Sequence, residues 1–337
     1  MKLARHLSEL ALACASCAGP PHGPEAPEPP RSVDLAAERL PRPAPAMSLT
    51  AAETVTFARL PARARAVPVV LFHDVCPEAC PADDLYALPR AELIRMFLMF
   101  AAAGYTTITP AQYVRLMHGD DRGLPERPIL VTFDDGHANA YLQADAILQR
   151  LGARVTMFVI TDRPETNDSR FVRWSEWRAA TATGRWDVQL HAHAGHVKIP
   201  ARAGDGARRP SYAVRAYDPA DGGHLESFAA WQARTEGDIQ AGRALLAARL
   251  DRAYEPLLFA VPFGDYGQKP TTNDPAIAPE LRAFMDRSFA YWFTQVGNAD
   301  FATPGGTTHE QSRYTILGTT KAETVYAWLK RRASPGP

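Results

Sequence analysis

From residue 67 onward, short runs rich in β-branched and aromatic residues alternate with longer stretches whose apolar positions recur at helical spacing. The runs predict strands at 69–72, 106–109, 129–133, 155–160, 187–190, 257–261 and 289–295, with 314–317 as an eighth. Helical spacing predicts helices at 90–103, 138–151, 174–183, 226–250 and 279–287, and a closing helix at 321–331. Gly104, Gly152 and Gly184 each follow a helix where a left-handed C-terminal cap is expected. Strand and helix in regular alternation imply an α/β fold around a mainly parallel sheet, a distorted (β/α)7–8 barrel. No second Pro- or Gly-rich boundary interrupts it, so 54–337 reads as one domain. The stretch 198–223 lacks periodicity and is expected to be a lid or a disordered insertion.

The region ahead of the domain has another character. Nine of the 29 prolines fall between Pro20 and Pro45, a composition that cannot build a core, so 19–53 reads as a disordered tether. In 1–18, Lys2 and Arg5 precede a short apolar stretch ending at Cys14, which resembles a lipoprotein-type export signal with Cys14 or Cys17 as lipid acceptor. Export to the periplasm or an outer-membrane anchor is the expectation. In that setting Cys76 and Cys80 could pair across their short loop; otherwise they are spare thiols. Lysine plus arginine balance aspartate plus glutamate at 37 each, so nothing marks a nucleic-acid partner.

Two strand ends carry candidate chemistry. The apolar run Ile129 to Phe133 ends in Asp134-Asp135-Gly136, and ligands of parallel sheets gather at strand carboxyl ends. Adjacent strand residues point to opposite faces, but a turn at Gly136 can aim both carboxylates at one pocket. By itself the motif is equally a capping turn before a helix. The second strand end, at Leu190, runs into His191-Ala192-His193-Ala194-Gly195-His196. Three imidazoles on one loop are a candidate metal cluster or an ordinary His-rich loop. One carboxylate with two imidazoles would leave an open coordination position, and the second carboxylate would be free to move protons.

These residues resemble the polysaccharide deacetylase family, carbohydrate esterases with a NodB-like domain, over most of 67–316, and most closely the group acting on poly-β-1,6-N-acetylglucosamine. Thr132-Phe133-Asp134-Asp135-Gly136 looks like the first signature of the family, which implies Asp134 as general base and Asp135 as metal ligand. His191 and His196, five apart, match the ligand histidines of that group, and His193 falls on a non-ligand position. Val261-Pro262-Phe263-Gly264 resembles the loop whose backbone amide holds an oxyanion, and Leu71-Phe72-His73-Asp74-Val75 resembles the first strand motif. Phe263, Pro262 and His73 are thereby expected at the substrate. Ala192, Val261 and Phe263 depart from the family pattern, and its late Leu-x-x-His, source of a general acid, has no counterpart. His309 is the one histidine nearby, otherwise an ordinary loop residue.

The resemblance implies one divalent ion, zinc by default, with nickel, cobalt or iron accepting the same ligands. It implies removal of N-acetyl groups from a GlcNAc-containing polysaccharide of the β-1,6-linked kind. Three alternatives stay open: a chitin or peptidoglycan deacetylase, an O-acetyl esterase, and a degenerate non-catalytic glycan-binding protein.

Overall fold

The computed structural model describes residues 41–61, 66–202, 208–218, 223–251, 254–296 and 299–333. The export-like segment 1–18 and tether residues 19–40 lie outside the described residues. The fold below concerns the body that begins at Pro41.

Fourteen strands are described: β1 Val69–Phe72, β2 Asp74–Cys76, β3 Ala87–Pro89, β4 Thr106–Thr107, β5 Pro128–Phe133, β6 Val155–Ile160, β7 Trp186–Ala192, β8 Lys198–Pro200, β9 Arg208–Pro210, β10 Tyr217–Asp218, β11 His224–Leu225, β12 Leu258–Ala260, β13 Tyr291–Val296 and β14 Glu310–Thr315. The helices are α1 Ala51–Thr56, α2 Arg90–Ala102, α3 Pro110–Met117, α4 Ala138–Leu151, α5 Trp174–Ala182, α6 Phe228–Arg249, α7 Ile277–Ser288 and α8 Ala322–Ala333. Strands β1, β14, β13, β12, β7, β6 and β5 follow one another in that order, and β5 pairs back to β1. All these pairings are parallel, so the ring is a closed seven-stranded barrel with helices around it.

Ring membership differs from the sequence expectation in one respect. The strand expected at 106–109 shrinks to β4, which pairs only with Pro128 and Ile129 at the start of β5 and stays outside the ring. Thr109 instead caps α3 in a reciprocal box: Gln112 N donates to Thr109 Oγ1 at 3.2 Å, and Thr109 N donates to Gln112 Oε1 at 2.9 Å. The expected eighth strand begins four residues earlier, as β14, and it completes the barrel.

Alternation along the strands sorts their side chains into two cores. Val70, Val131, Phe133, Met157, Val159, Phe259 and Trp292 belong to the cluster beneath the helices. Their neighbours Val69, Leu130, Phe158, Leu258, Ala260 and Phe293 fill the barrel interior, joined at its amino-terminal end by Tyr113, Leu116 and Met117 of α3. Because both faces of β1, β5 and β6 are buried, these strands read as continuous apolar runs. Trp174, Trp177, Trp186, Trp231 and Trp292 are all buried, which assigns them to packing.

Two further expectations are corrected. Residues 41–53, counted with the tether, pack on the domain: Arg42 N donates to Leu142 O at 2.9 Å, and Glu53 pairs with Arg95 at 2.7 Å. The stretch 198–223 is not structureless where described. It forms the β8–β9 hairpin, contributes β10 to a pairing with β11, and buries Tyr212, Ala213 and Val214. Cys76 and Cys80 are joined as a disulfide at the end of β2.

Candidate active site

Strand parity accounts for most of the site. Continuing the alternation of β5 beyond Leu130 and Thr132 places Asp134 on the interior side, and the same count places His191 of β7 and Arg313 of β14 there. All three are buried. Asp135 would fall on the opposite face, but the chain turns at Asp135 itself, whose φ is +75°, followed by Gly136 at +84°. Asp135 and Phe263 (φ +58°) are the two non-glycine residues with positive φ among those described, and both line the same cleft. Such a conformation costs roughly 1–2 kcal/mol and persists where surrounding structure imposes it.

A register shift aims His191. Val159 pairs with Leu190 but Ile160 pairs with Ala192, so His191 is the extra residue of a bulge. Its Nδ1 lies 2.7 Å from Ala260 O, which fixes the ring and turns Nε2 into the cleft. That carbonyl provides the support that Ala192 lacks the side chain to give. His196 stacks on Phe263, with centroids 4.1 Å apart, and Lys198 Nζ stands 5.4 Å from the far ring centre.

Asp135 Oδ1 lies 3.5 Å from His191 Nε2 and 3.6 Å from His196 Nε2. These separations exceed a hydrogen bond, and Asp135 Oδ1 is a buried oxygen without a hydrogen-bond partner. They match the edge of a tetrahedron, roughly 3.4 Å, drawn around an ion with ligand bonds of about 2.1 Å. Asp135, His191 and His196 place one donor atom each within 4.8 Å of one another, so this set fits a single divalent cation. The local electrostatics prepare the donors. Burial and the neighbouring His191 push His196 down to about 4, leaving its lone pair free at neutral pH. Burial alone would raise Asp135, but His137 and His191 hold it well below the usual carboxylate range.

Asp134 does not share that oxygen geometry. Both its oxygens accept from Arg313, at 2.7 and 2.8 Å, and Arg313 is 0% exposed. The guanidinium also lies near the rings of Phe158 and Phe293, at 5.3 and 5.8 Å. Burial would raise Asp134, yet the charge of Arg313 outweighs it and keeps the carboxyl below its ordinary value. Nothing in Glu310-Gln311-Ser312-Arg313 signals this role, because a lone arginine in a polar run looks like a solvated strand edge.

The cleft, about 310 Å³, is lined by His73, Asp74, Asp84, Tyr86, Asp134, Asp135, His137, His191, His196, Phe263 and Gln295. Of the expected substrate residues, His73 and Phe263 are therefore at the cleft, and Pro262 is buried and not among its lining. Burial lowers His73, whose Nδ1 has no partner and whose ring meets Tyr86 at 4.5 Å. His193 turns away, with Nδ1 3.0 Å from Thr161 Oγ1. His309, weighed as a proton donor, sits ahead of β14 beside Tyr291, in a separate cleft at the amino-terminal end of the barrel. It cannot reach the carboxylates, which follow the opposite end of β5.

The histidine loop is pinned by a residue that the motifs did not reveal. Asp238 of α6 accepts from His193 N at 2.9 Å, from Ala194 N at 2.8 Å and from the Tyr212 hydroxyl. Gly195 passes so close that a Cβ there would collide with the Tyr212 ring and stand 2.8 Å from Asp238 Oδ2. Gly195→Ala is therefore expected to destabilise the protein by ~1–3 kcal/mol and to spread His191 and His196 apart. Thermal denaturation beside a metal titration checks this; unchanged values in both contradict it.

Residues 121–273 match the family model described as polysaccharide deacetylase. The poly-β-1,6-N-acetyl-D-glucosamine N-deacetylase of Escherichia coli K12 is 26% identical over 210 residues, 58% of this chain and 30% of that protein. The chain thus spans about a third of the length of that curated relative. Among solved structures, the de-N-acetylase from Aggregatibacter actinomycetemcomitans superposes with a TM-score of 0.64 at 19% identity, over 78% of this chain and 99% of that one. IcaB from Ammonifex degensii gives 0.57 at 22% identity, over 79% and 97%. These structural likenesses concern the fold, no helix among the described residues is long and apolar enough to cross a membrane, and the matched segment includes both aspartates and both facing histidines. Residues 121–273 of the chain are thus similar to the polysaccharide deacetylase family.

Proposed function

We propose that this protein hydrolyses N-acetyl groups of a GlcNAc-containing polysaccharide, of the β-1,6-linked kind acted on by the E. coli relative. The observation that carries the reading is the orphaned Asp135 oxygen facing two imidazoles beside a second, separately held carboxylate. Asp135, His191 and His196 would hold one divalent ion, zinc by default, which when bound makes water acidic enough to react near neutral pH and polarises a carbonyl.

The chain's own groups divide the remaining work. Arg313 keeps Asp134 ionised and fixed, while each carboxylate oxygen retains a further lone pair for an incoming proton. Asp134 accepts the proton of the attacking water and returns it to the sugar nitrogen as the C–N bond breaks, and the Phe263 backbone N–H donates to the oxygen on which charge develops. His73 and Tyr86, whose rings meet at 4.5 Å, form part of the cleft wall. A purely glycan-binding role would not call for a buried, arginine-held carboxylate beside an ion site.

Export from the cytosol is part of the proposal, supported by the lipoprotein-like start and by the Cys76–Cys80 disulfide, which belongs to an oxidising compartment. Acetate release from β-1,6-linked and β-1,4-linked GlcNAc oligomers, and from an O-acetylated glycan, tests the substrate class. Release is expected fastest from the β-1,6 series and absent after chelation. Preference for β-1,4 oligomers or for the ester would replace this reading with a chitin or peptidoglycan deacetylase or an esterase.

A further inference from the structure

His137 lines the cleft but, like Asp74, Asp84 and Gln295, has no part in the scheme above. His137 occupies the cap position of α4 yet makes no side-chain capping bond, so its imidazole is not spent on the helix. The ring lies between two carboxylates: Nε2 is 3.5 Å from Asp135 Oδ2, and Nδ1 is 3.7 Å from Asp74 Oδ2. Asp135 therefore turns one oxygen to His191 and His196 and the other to His137.

The surroundings hold this chain of groups in place. The His137 backbone bridges to Phe171, and the two rings meet at 5.2 Å. Asp74 accepts from Val75 N at 2.8 Å through its other oxygen, at the start of a strand paired to β3. His137 does not belong to the donor cluster of Asp135, His191 and His196, which argues against a fourth ligand.

We propose that Asp74 and His137 are positioning residues that keep Asp135 bound through Oδ1 alone and so set the affinity and coordination mode of the metal site. A carboxylate free to rotate could present both oxygens to an ion or neither; one whose second oxygen faces a cationic or N–H-donating imidazole presents one. Partners of this kind typically contribute 10- to 100-fold in metal affinity. The inference rests on the metal-site reading of Asp135.

The test is zinc affinity of the full chain, measured against a chromophoric competitor, together with the visible spectrum of the cobalt-loaded protein. His137→Ala is expected to weaken zinc 10- to 100-fold and to shift the cobalt bands. His137→Gln, whose amide N–H can still face Asp135, should recover most of both, and Asp74→Asn should fall between. A role in folding alone would lower the melting temperature without moving the cobalt spectrum of the loaded protein. Native affinity and spectrum in His137→Ala, or in Asp74→Asn should the alanine variant not fold, overturn this inference while leaving the metal site standing. Zinc binding that is absent from the native protein, or unchanged in Asp135→Ala, overturns the metal site itself.

Discussion

Arg313→Met is expected to cost ~3–5 kcal/mol of folding stability, because it strands the Asp134 carboxylate in the barrel interior without its bidentate partner. The pair is completely enclosed, so the loss is one of burying an uncompensated charge and not merely of an attraction. Methionine fills similar volume against Phe158 and Phe293, which keeps the packing contribution small. The effect should be strongly non-additive: Arg313→Met with Asp134→Leu removes both charges and should recover most of the stability. Urea unfolding of the two single variants and the double variant measures this. A loss below about 1 kcal/mol in Arg313→Met would mean that the pair is open to water, since exposed pairs contribute in that range.

Asp134→Asn is expected to reduce acetate release by ~10²- to 10⁴-fold, the usual contribution of a positioned proton-transfer group. Asparagine preserves the size of the side chain and an oxygen toward Arg313, but it cannot accept a proton from water. Because Asp135, His191 and His196 are untouched, metal content should stay at that of the native protein. This combination separates the two adjacent aspartates: Asp135→Asn should lose affinity for the ion, whereas Asp134→Asn should not. The substitution also leaves a buried guanidinium facing a neutral amide, so the comparison belongs at temperatures well below the melting transition of the variant. Native-like turnover in a folded, metal-loaded Asp134→Asn protein would reject Asp134 as the base.

Much of this architecture can be read from the chain because the responsible residues leave patterns. Doubly buried strands such as β1, β5 and β6 appear as apolar runs, and the two strand ends that carry Asp134-Asp135 and His191 to His196 follow directly from them. What escaped lacks such a pattern. Helix α3 is too short for periodicity to identify, although Thr109-Pro110-x-Gln112 does mark its start. Strand β14 carries polar residues because its interior position is filled by Arg313, whose partner lies 179 residues earlier in the sequence. Asp238 acts through distant backbone and side-chain partners, and His137 looks like an ordinary cap residue until the fold places Asp74 behind it. The sequence points to Gly136 for the turn that aims Asp135 inward, whereas Asp135 itself also adopts the left-handed conformation. Backbone strain of that kind is set by tertiary packing and has no local signature.

The central claim is that Asp135, His191 and His196 share one ion beside Asp134. Anomalous diffraction at the zinc edge from zinc-loaded crystals tests it most directly. The account predicts a single strong peak within about 2.0–2.2 Å of Asp135 Oδ1 and of Nε2 of both histidines. Absence of a peak there, or a peak held by other side chains, would contradict it.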